Sequence, residues 1–211
     1  MESPLRAGSD EPGLKLIETA FWDGGACPRL AGHLARLTTS AALLGWPCDA
    51  GAARAALTGP PGQPARLRLT LDAGGRIEAT RAPLPPARPE WRLALAAARL
   101  DADDPWLAIK TTRRAVFDAA RAALPAGIDE AIFLNQRGEV CEGTIASVFF
   151  DRGQGLRTPP LSSGLLAGVL RAELLAAGRC REEILMAGEL PKVRLWVGNA
   201  LRGLIPARWA G

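Results

Sequence analysis

The order of short strands and helices limits this chain more than any other feature of its sequence. Residues 14–21, LKLIETAF, read as a strand with partial alternation. Residues 30–45 read as an amphipathic helix in which Leu30, Leu34, Leu37 and Leu44 recur near helical spacing. Gly45 and Pro47 end it, and a second short helix covers 49–58. Residues 65–81 read as a hairpin that turns at Ala73-Gly74-Gly75. The proline-rich stretch APLPPARPE cannot be a central strand, whereas WRLALAAARL after it reads as a strand. DADDPW is a loop or linker, and residues 111–123 read as a helix. DEAIFLNQRGEVCEG then reads as two strands around a Gln-Arg-Gly turn, and residues 145–150 as another strand. A loop starts at Thr158-Pro159-Pro160. LLAGVLRAELLAAG reads as a helix ended by Gly178, and CREEILMA and VRLWVGNA as strands. There is no internal repeat. Mixed short elements in this order indicate an α+β fold in two halves.

The length of 211 residues allows one large domain or two small ones, each with its own core. The boundaries expected are a disordered leader over 1–13, a small α/β domain over 14–98, a linker over 99–106 and a larger α/β domain over 107–211. Apolar residues make up 48% and charged residues 23%, the balance of a soluble globular protein. No apolar run approaches the roughly 20 residues of a membrane span, and MESPLRAGSDEPG has no apolar core of a secretory signal. A cytoplasmic protein is therefore expected. Cys27, Cys48, Cys141 and Cys180 are scattered and have no metal-ligand spacing, so free thiols are expected. The formal charge of +4 is not gathered into a basic stripe with stacking aromatics, which argues against a nucleic-acid platform. The single histidine, His33, rules out a multi-histidine metal site, and no metal is expected.

Of the 26 basic residues only Lys15, Lys110 and Lys192 are lysines, so each lysine invites a question about chemistry. Lys110, in WLAIKTT, is placed by the pattern at a strand end just before a helix. Apolar neighbours there partly desolvate the amine and lower its pKa, which is what an imine-forming lysine needs. An ordinary surface lysine fits less well at a helix start, where the dipole disfavours a cation. Glu142 lies beside Gly143 between two strands and is an ordinary turn residue unless it has a partner. Gly168 stands near a helix start in SSGLLAGVLR, where free N–H groups could bind a phosphate. His33 and Arg36 share a helix face. A packing or hydrogen-bonding role is the expectation for His33, and Arg36 is either a solvated charge or a phosphate contact.

Taken together, LIETAF, LAGHLARL, IKTTRRAVFDAAR, DEAIFLNQRGEVCEGTIASVFF, TPPLSSGLLAGVLRAELL and WVGNALRGLIPA resemble the class IV aminotransferase family, also called pyridoxal phosphate (PLP) fold type IV. The resemblance runs from about 14 to 206. It implies a two-domain fold like that of D-amino acid aminotransferase, with a shortened N-terminus, and pyridoxal 5'-phosphate as cofactor. Lys110 matches the Schiff-base lysine and proton carrier, and Glu142 the carboxylate on the pyridine nitrogen. Arg36 matches the arginine that binds the cofactor phosphate. Val169 and Leu170 match the positions whose backbone N–H groups bind that phosphate, and Asn199 with Ala200 a further contact to it. The family implies a homodimer with active sites near the subunit interface, acting on a small-molecule amine.

Within the family, KTTRR…FD.AR and Asn199-Ala200-Leu201 resemble the 4-amino-4-deoxychorismate lyase group, including the lyase-like domain fused to aminodeoxychorismate synthase. Arg114 matches a lyase arginine that could bind a substrate carboxylate. The reaction implied releases pyruvate and forms 4-aminobenzoate, a folate precursor. The alternatives are an aminotransferase for branched-chain or D-amino acids, and a degenerate member without activity. The departures from the pattern are the altered segment before LIETAF, Ser147 where Asn is typical, Phe117 where Tyr is frequent, and the lack of any tyrosine.

Overall fold

The structure, a computed structural model, describes residues 4–211 and divides into two compact units. The first runs to Pro86 and takes in Ile109–Arg113, and the second comprises Ala87–Ala108 and Arg114–Gly211. The leader expected over 1–13 is corrected in part. Residues 1–3 lie outside the described residues, but Pro4–Ala7 form a short helix, α1, because Leu5 is buried.

The first unit is a three-stranded antiparallel sheet of β1 (Lys15–Trp22), β2 (Ala65–Asp72) and β3 (Ile77–Ala82), in the order β1-β2-β3, with two helices, α2 (Leu30–Leu44) and α3 (Ala50–Ala56). α2 turns His33, Leu34, Leu37, Ala41 and Leu44 inwards and packs against β1, as the leucine spacing predicts. Asp49 starts α3 by accepting the N–H groups of Gly51 and Ala52 at 2.8 and 3.0 Å. β2 alternates buried and exposed residues along its length.

The second unit is built on an eight-stranded sheet. Its strands are β4 (Trp91–Leu100), β5 (Glu130–Asn135), β6 (Val140–Gly143), β7 (Ser147–Asp151), β8 (Arg157–Thr158), β9 (Arg181–Glu182), β10 (Arg194–Asn199) and β11 (Gly203–Trp209). The strand order is β10-β11-β4-β5-β6-β7-β8-β9, and β7 also pairs with β10. One edge of β7 meets β6 at Ser147 and β8 at Phe150, while the other edge runs along β10. The strands from β10 through β7 therefore close into a barrel-like ring. β5, EAIFLN, is buried throughout because both of its faces are covered. Ile132 and Leu134 join one core cluster with Val148, Phe150 and Val197. Phe133 joins another with Leu100 and Leu107, roofed by Val116, Phe117 and Ala120 of α4 (Ala115–Ala122). Leu170 and Leu174 of α5 (Val169–Ala176) cover Phe149.

Several sequence boundaries move. Residues 91–100, placed in the small domain by the sequence, pair with β5 and β11 and belong to the second unit. The segment Ile109–Arg113, placed in the larger domain, clusters with the first. The helix expected over 111–123 begins only at Ala115, because the preceding residues pair with β1. The helix expected from 165 begins at Val169. The strand expected over 180–187 shrinks to Arg181–Glu182, since Ala187–Lys192 wind into a 3-10 turn. No helix among the described residues is long and apolar enough to cross a membrane.

β5 begins and ends on buried polar residues, Glu130 and Asn135, with four apolar residues between. Asn135 Nδ2 donates to Glu139 at 2.8 Å and to the Ser163 carbonyl at 3.0 Å. Arg137 donates to both oxygens of Glu139, at 3.0 and 2.9 Å, and the Ser163 hydroxyl donates to Glu139 Oε2 at 2.9 Å. The Arg137 guanidinium, with the Asn135 amide and Ser163 hydroxyl, holds the Glu139 carboxyl down at about 2, against the pull of burial. The charged form is thus favoured in the folded chain. Its stabilisation is complete above the ordinary glutamate range near about 4.3 and drains away as pH falls towards about 2. We expect Glu139→Gln to lower stability at neutral pH by about 1–3 kcal/mol and to flatten the loss between these pH values. Denaturant unfolding from pH 7 to pH 2 checks both effects, and an unchanged acid profile would refute them.

Candidate cofactor site

The residues singled out by the sequence fall into two groups, one in each unit. Lys110 and Arg36 lie in the first unit, and both are organised by β1. Lys110 does not follow a strand, as expected. It follows the 3-10 turn Pro105–Ala108, which Asp104 starts by accepting the Trp106 N–H at 2.9 Å. The Lys110 carbonyl accepts the Ile17 N–H at 2.8 Å, and the Thr112 N–H donates to the Lys15 carbonyl at 2.9 Å. The Thr112 hydroxyl oxygen also accepts the Lys15 N–H at 2.9 Å. The segment is therefore an added edge on β1, with Leu16 opposite Thr111. Ile109 and Thr111 are buried and Lys110 is half-buried, so the amine leaves a backbone fixed on both sides.

One residue further along the same strand, Glu18 turns into the unit on the face of Leu16, Ala20 and Trp22. Arg36 donates to it through Nε at 2.8 Å and Nη2 at 2.6 Å, and His33 Nδ1 lies 2.6 Å from Glu18 Oε2. This bears out a hydrogen-bonding role for His33. Burial alone would raise the Glu18 carboxyl, but Arg36 and His33 outweigh it and hold the group below the usual carboxylate range.

The second group converges on residues 142–147. Glu142 on β6 is buried and faces Ser147 across the ladder, and its Oε1 accepts the Leu166 N–H at 3.0 Å. Arg114 Nη2 donates to the Thr144 carbonyl at 3.0 Å, and its Nε pairs with Asp118 at 2.7 Å. The same guanidinium lies 5.8 Å over the ring of Phe117, which meets Phe133 edge-on at 5.0 Å. Phe117 is thus a packing residue here, in surroundings that ask for no hydroxyl. Asn199 Nδ2 donates to the Ile145 carbonyl at 3.1 Å, while its Oδ1 accepts the N–H groups of Leu201 and Arg202. The Asn199 side chain is therefore engaged in holding its own turn and the segment after Glu142, with Ala200 buried beside it.

At the start of α5, Gly168 is the N-cap, and the first intrahelical bond runs from the Ala172 N–H to its carbonyl at 2.9 Å. The N–H groups of Val169 and Leu170 precede that bond and have no acceptor within the helix. A Cβ on Gly168 would stand 2.7 Å from Ser147 Oγ, so any side chain there would force the Ser147 hydroxyl to turn aside. The first unit thus offers an amine on a fixed backbone and a guanidinium, and the second a buried carboxylate and a helix N-terminus, group types that suit pyridoxal phosphate. Among the described residues no cluster of His, Cys, Asp and Glu is arranged to hold a metal ion.

Sequence reasoning missed Glu18 and Glu130. Glu130, fully buried, accepts the N–H groups of Thr144 and Ile145 at 3.0 and 3.2 Å, the Thr144 hydroxyl, and Arg121 Nη1 at 3.4 Å. Burial raises its carboxyl, and the Thr144 hydroxyl, Arg121 and these N–H groups offset only part of that rise. The available signal was a carboxylate in register with strand residues that are otherwise apolar. A Cβ on Gly143 would lie 2.8 Å from Glu130 Cγ and Cδ. We expect Gly143→Ala to cost about 1–3 kcal/mol by overpacking and to weaken cofactor binding by shifting the segment beside Glu142. Thermal unfolding and cofactor titration of the variant check this, and wild-type values for both would refute it.

Residues 15–209 match the family model for amino-transferase class IV. A curated aminodeoxychorismate lyase of Bacillus subtilis is 33% identical over 87 residues, covering 36% of this chain and 28% of the lyase. A probable branched-chain-amino-acid aminotransferase of Synechocystis is 39% identical over 57 residues, covering 27% of this chain and 19% of the aminotransferase. The aligned region thus spans less than a third of either curated relative. A crystal structure from Mesorhizobium loti, assigned as an amino-acid aminotransferase, is 44% identical with a TM-score of 0.87, covering 93% of this chain and all of the other.

Proposed function

The chain belongs to the class IV aminotransferase family, whose members are pyridoxal-phosphate-dependent lyases and aminotransferases, and on that premise we propose that it is a PLP-dependent 4-amino-4-deoxychorismate lyase. The observation that carries the cofactor reading is the way each unit fixes its own candidate groups. Lys110 and Arg36 are both held by β1 in the first unit, while in the second Arg114 and Asn199 bond the carbonyls of Thr144 and Ile145, just after Glu142. The lyase reading is supported by the Arg114 segment and by the likeness to the Bacillus subtilis enzyme.

When bound, pyridoxal phosphate supplies an electron sink for the electrons released at the substrate's amine-bearing carbon. The ε-amine of Lys110 would hold the cofactor. In the lyase reading Lys110 would also carry the proton from that carbon to the departing enolpyruvyl group, so that pyruvate leaves and the ring becomes aromatic as 4-aminobenzoate. Glu142 would keep a proton on the pyridine nitrogen. Its bond from the Leu166 N–H and its buried setting fix the direction in which it acts. Arg36 and the first-turn N–H groups of Val169 and Leu170 would hold the phosphate, with the turn at Asn199-Ala200 as a further contact. Arg114 orients a substrate carboxylate. Aromatisation drives the overall step, so positioning is most of what the chain contributes. The family pattern also leads us to propose a homodimer acting in the cytoplasm.

The second reading is an aminotransferase for branched-chain or D-amino acids, favoured by the 44% identity to the Mesorhizobium loti protein. Lys110 would then return the proton to the cofactor side of the imine. Addition of PLP to the purified protein should give a visible absorption band, and borohydride should trap the adduct on Lys110. Pyruvate release from 4-amino-4-deoxychorismate without any acceptor keto acid is the expected result. Amino transfer to a keto acid, with no such release, would replace the lyase by the second reading. Lys110→Ala should lose the adduct and at least about 10²–10⁴-fold of the turnover, the range for removing a positioned proton carrier. A colourless protein with no adduct would overturn the cofactor assignment itself.

A further inference from the structure

Arg36 is the outermost member of a three-residue cluster whose other two members are wholly enclosed. Its side chain keeps 13% of its surface exposed, whereas those of Glu18 and His33 keep 1% each. The guanidinium therefore rests on a buried base made of a carboxylate and an imidazole. Glu18 engages it along one edge through both Nε and Nη2, a two-point contact that fixes the plane of the fork as well as its position. His33 in turn fixes Glu18. Its Nδ1 lies 2.6 Å from Oε2, the oxygen that also accepts Nη2 of Arg36, and its own Nε2 is buried with no hydrogen-bond partner among the described residues. An imidazole that leaves one nitrogen unsatisfied in order to hold a carboxylate is poor design for stability alone.

The local sequence explains how the cluster arises. His33 and Arg36 are three residues apart on α2, so they project from one face. Glu18 is the residue after Ile17, whose N–H holds the Lys110 carbonyl. The strand that fixes the backbone of the lysine thus also carries the base beneath the arginine. A shift of β1 by one residue would turn Glu18 to the other face and remove the Lys110 bond together.

We infer that Glu18 is a positioning residue that aims the Arg36 guanidinium at the phosphate of the cofactor, with His33 holding Glu18 in place. This rests on the proposed role of Arg36 in binding that phosphate. Charge counting alone leads to the opposite expectation. Glu18 is an anion beside the group that must attract a phosphate, so on simple attraction its neutralisation should tighten phosphate binding. Orientation gives the reverse sign. In Glu18→Gln one carboxylate oxygen becomes an amide nitrogen, which faces a guanidinium N–H donor to donor, and the two-point contact is lost. Losing one charge-assisted contact corresponds to about a ten-fold change in affinity.

The test compares PLP with pyridoxal, which lacks the phosphate, in titrations of cofactor-free protein followed by absorbance, together with circular dichroism of each variant. Wild-type protein should prefer PLP, and Arg36→Ala should abolish that preference. Glu18→Gln should cut the preference by about ten-fold or more while leaving pyridoxal affinity within about two-fold. In the Arg36→Ala background the same change should have no further effect on the preference. Glu18→Asp keeps the charge but shortens the reach, so it should also lose preference, and it carries the test if Glu18→Gln does not fold. Tighter or unchanged PLP binding in Glu18→Gln, or an equal loss for both ligands, would overturn the positioning role while leaving Arg36 at the phosphate. A wild-type protein with no preference for PLP, or an Arg36→Ala variant that keeps it, would instead overturn the phosphate role of Arg36 from which the inference starts.

Discussion

A carboxylate taken out of water must be met by donors, and the placing of the chemically important segments depends on that constraint. Three glutamates show it. Glu18 is met by Arg36 and His33, Glu130 by the N–H groups and hydroxyl of the segment after Glu142, and Glu139 by Arg137, Asn135 and Ser163. Each of them sits on or beside a strand whose neighbours are apolar. Because the strands are held by their core clusters, the donors must come to the carboxylate, and a guanidinium or a loop is fixed as a result. The cost of an unmet buried charge turns a flexible segment into one with a single geometry.

The consequence for Glu142 runs through two of these residues. Glu139 and its partners tie the loop at Ser162 and Ser163, and a few residues later Leu166 donates its N–H to Glu142. From the other side, Glu130 fixes Thr144 and Ile145, and Asn199 holds the Ile145 carbonyl. Glu142 is therefore framed by two loops, each pinned to β5. This arrangement accounts for an all-buried strand that begins and ends on polar residues.

Much of this was legible in the sequence, and what was not has physical reasons. The helix over 30–45 and the hairpin over 65–81 carry their own periodicity and turn residues, so they appear nearly where expected. Lys110, Glu142 and Gly168 stand out because lysine is scarce, and because a carboxylate or glycine beside an element boundary invites a role. Glu18 and Glu130 do not stand out. A glutamate is normally a surface residue, and only tertiary packing reveals that its strand is covered on the side it faces. The start of α4 was misplaced for a similar reason. Thr111 and Thr112 have no local signal against a helix strong enough to show that β1 captures them as an extended edge. β11 was missed because Gly203 and Pro206 obscure its strand character, which comes from partners on both sides.

The parallel pairing of β11 with β4 also has a bearing on how the second unit assembles during synthesis. Its ring opens with Trp91 and closes when Ala207 reaches it. Every other strand of the ring is translated before that pairing can form, so β4 waits on the ribosome with an unfilled edge. The first unit has its full complement as soon as Arg113 has emerged. The two units thus have different birth orders: one can mature once Arg113 is made, and the other only once Ala207 is.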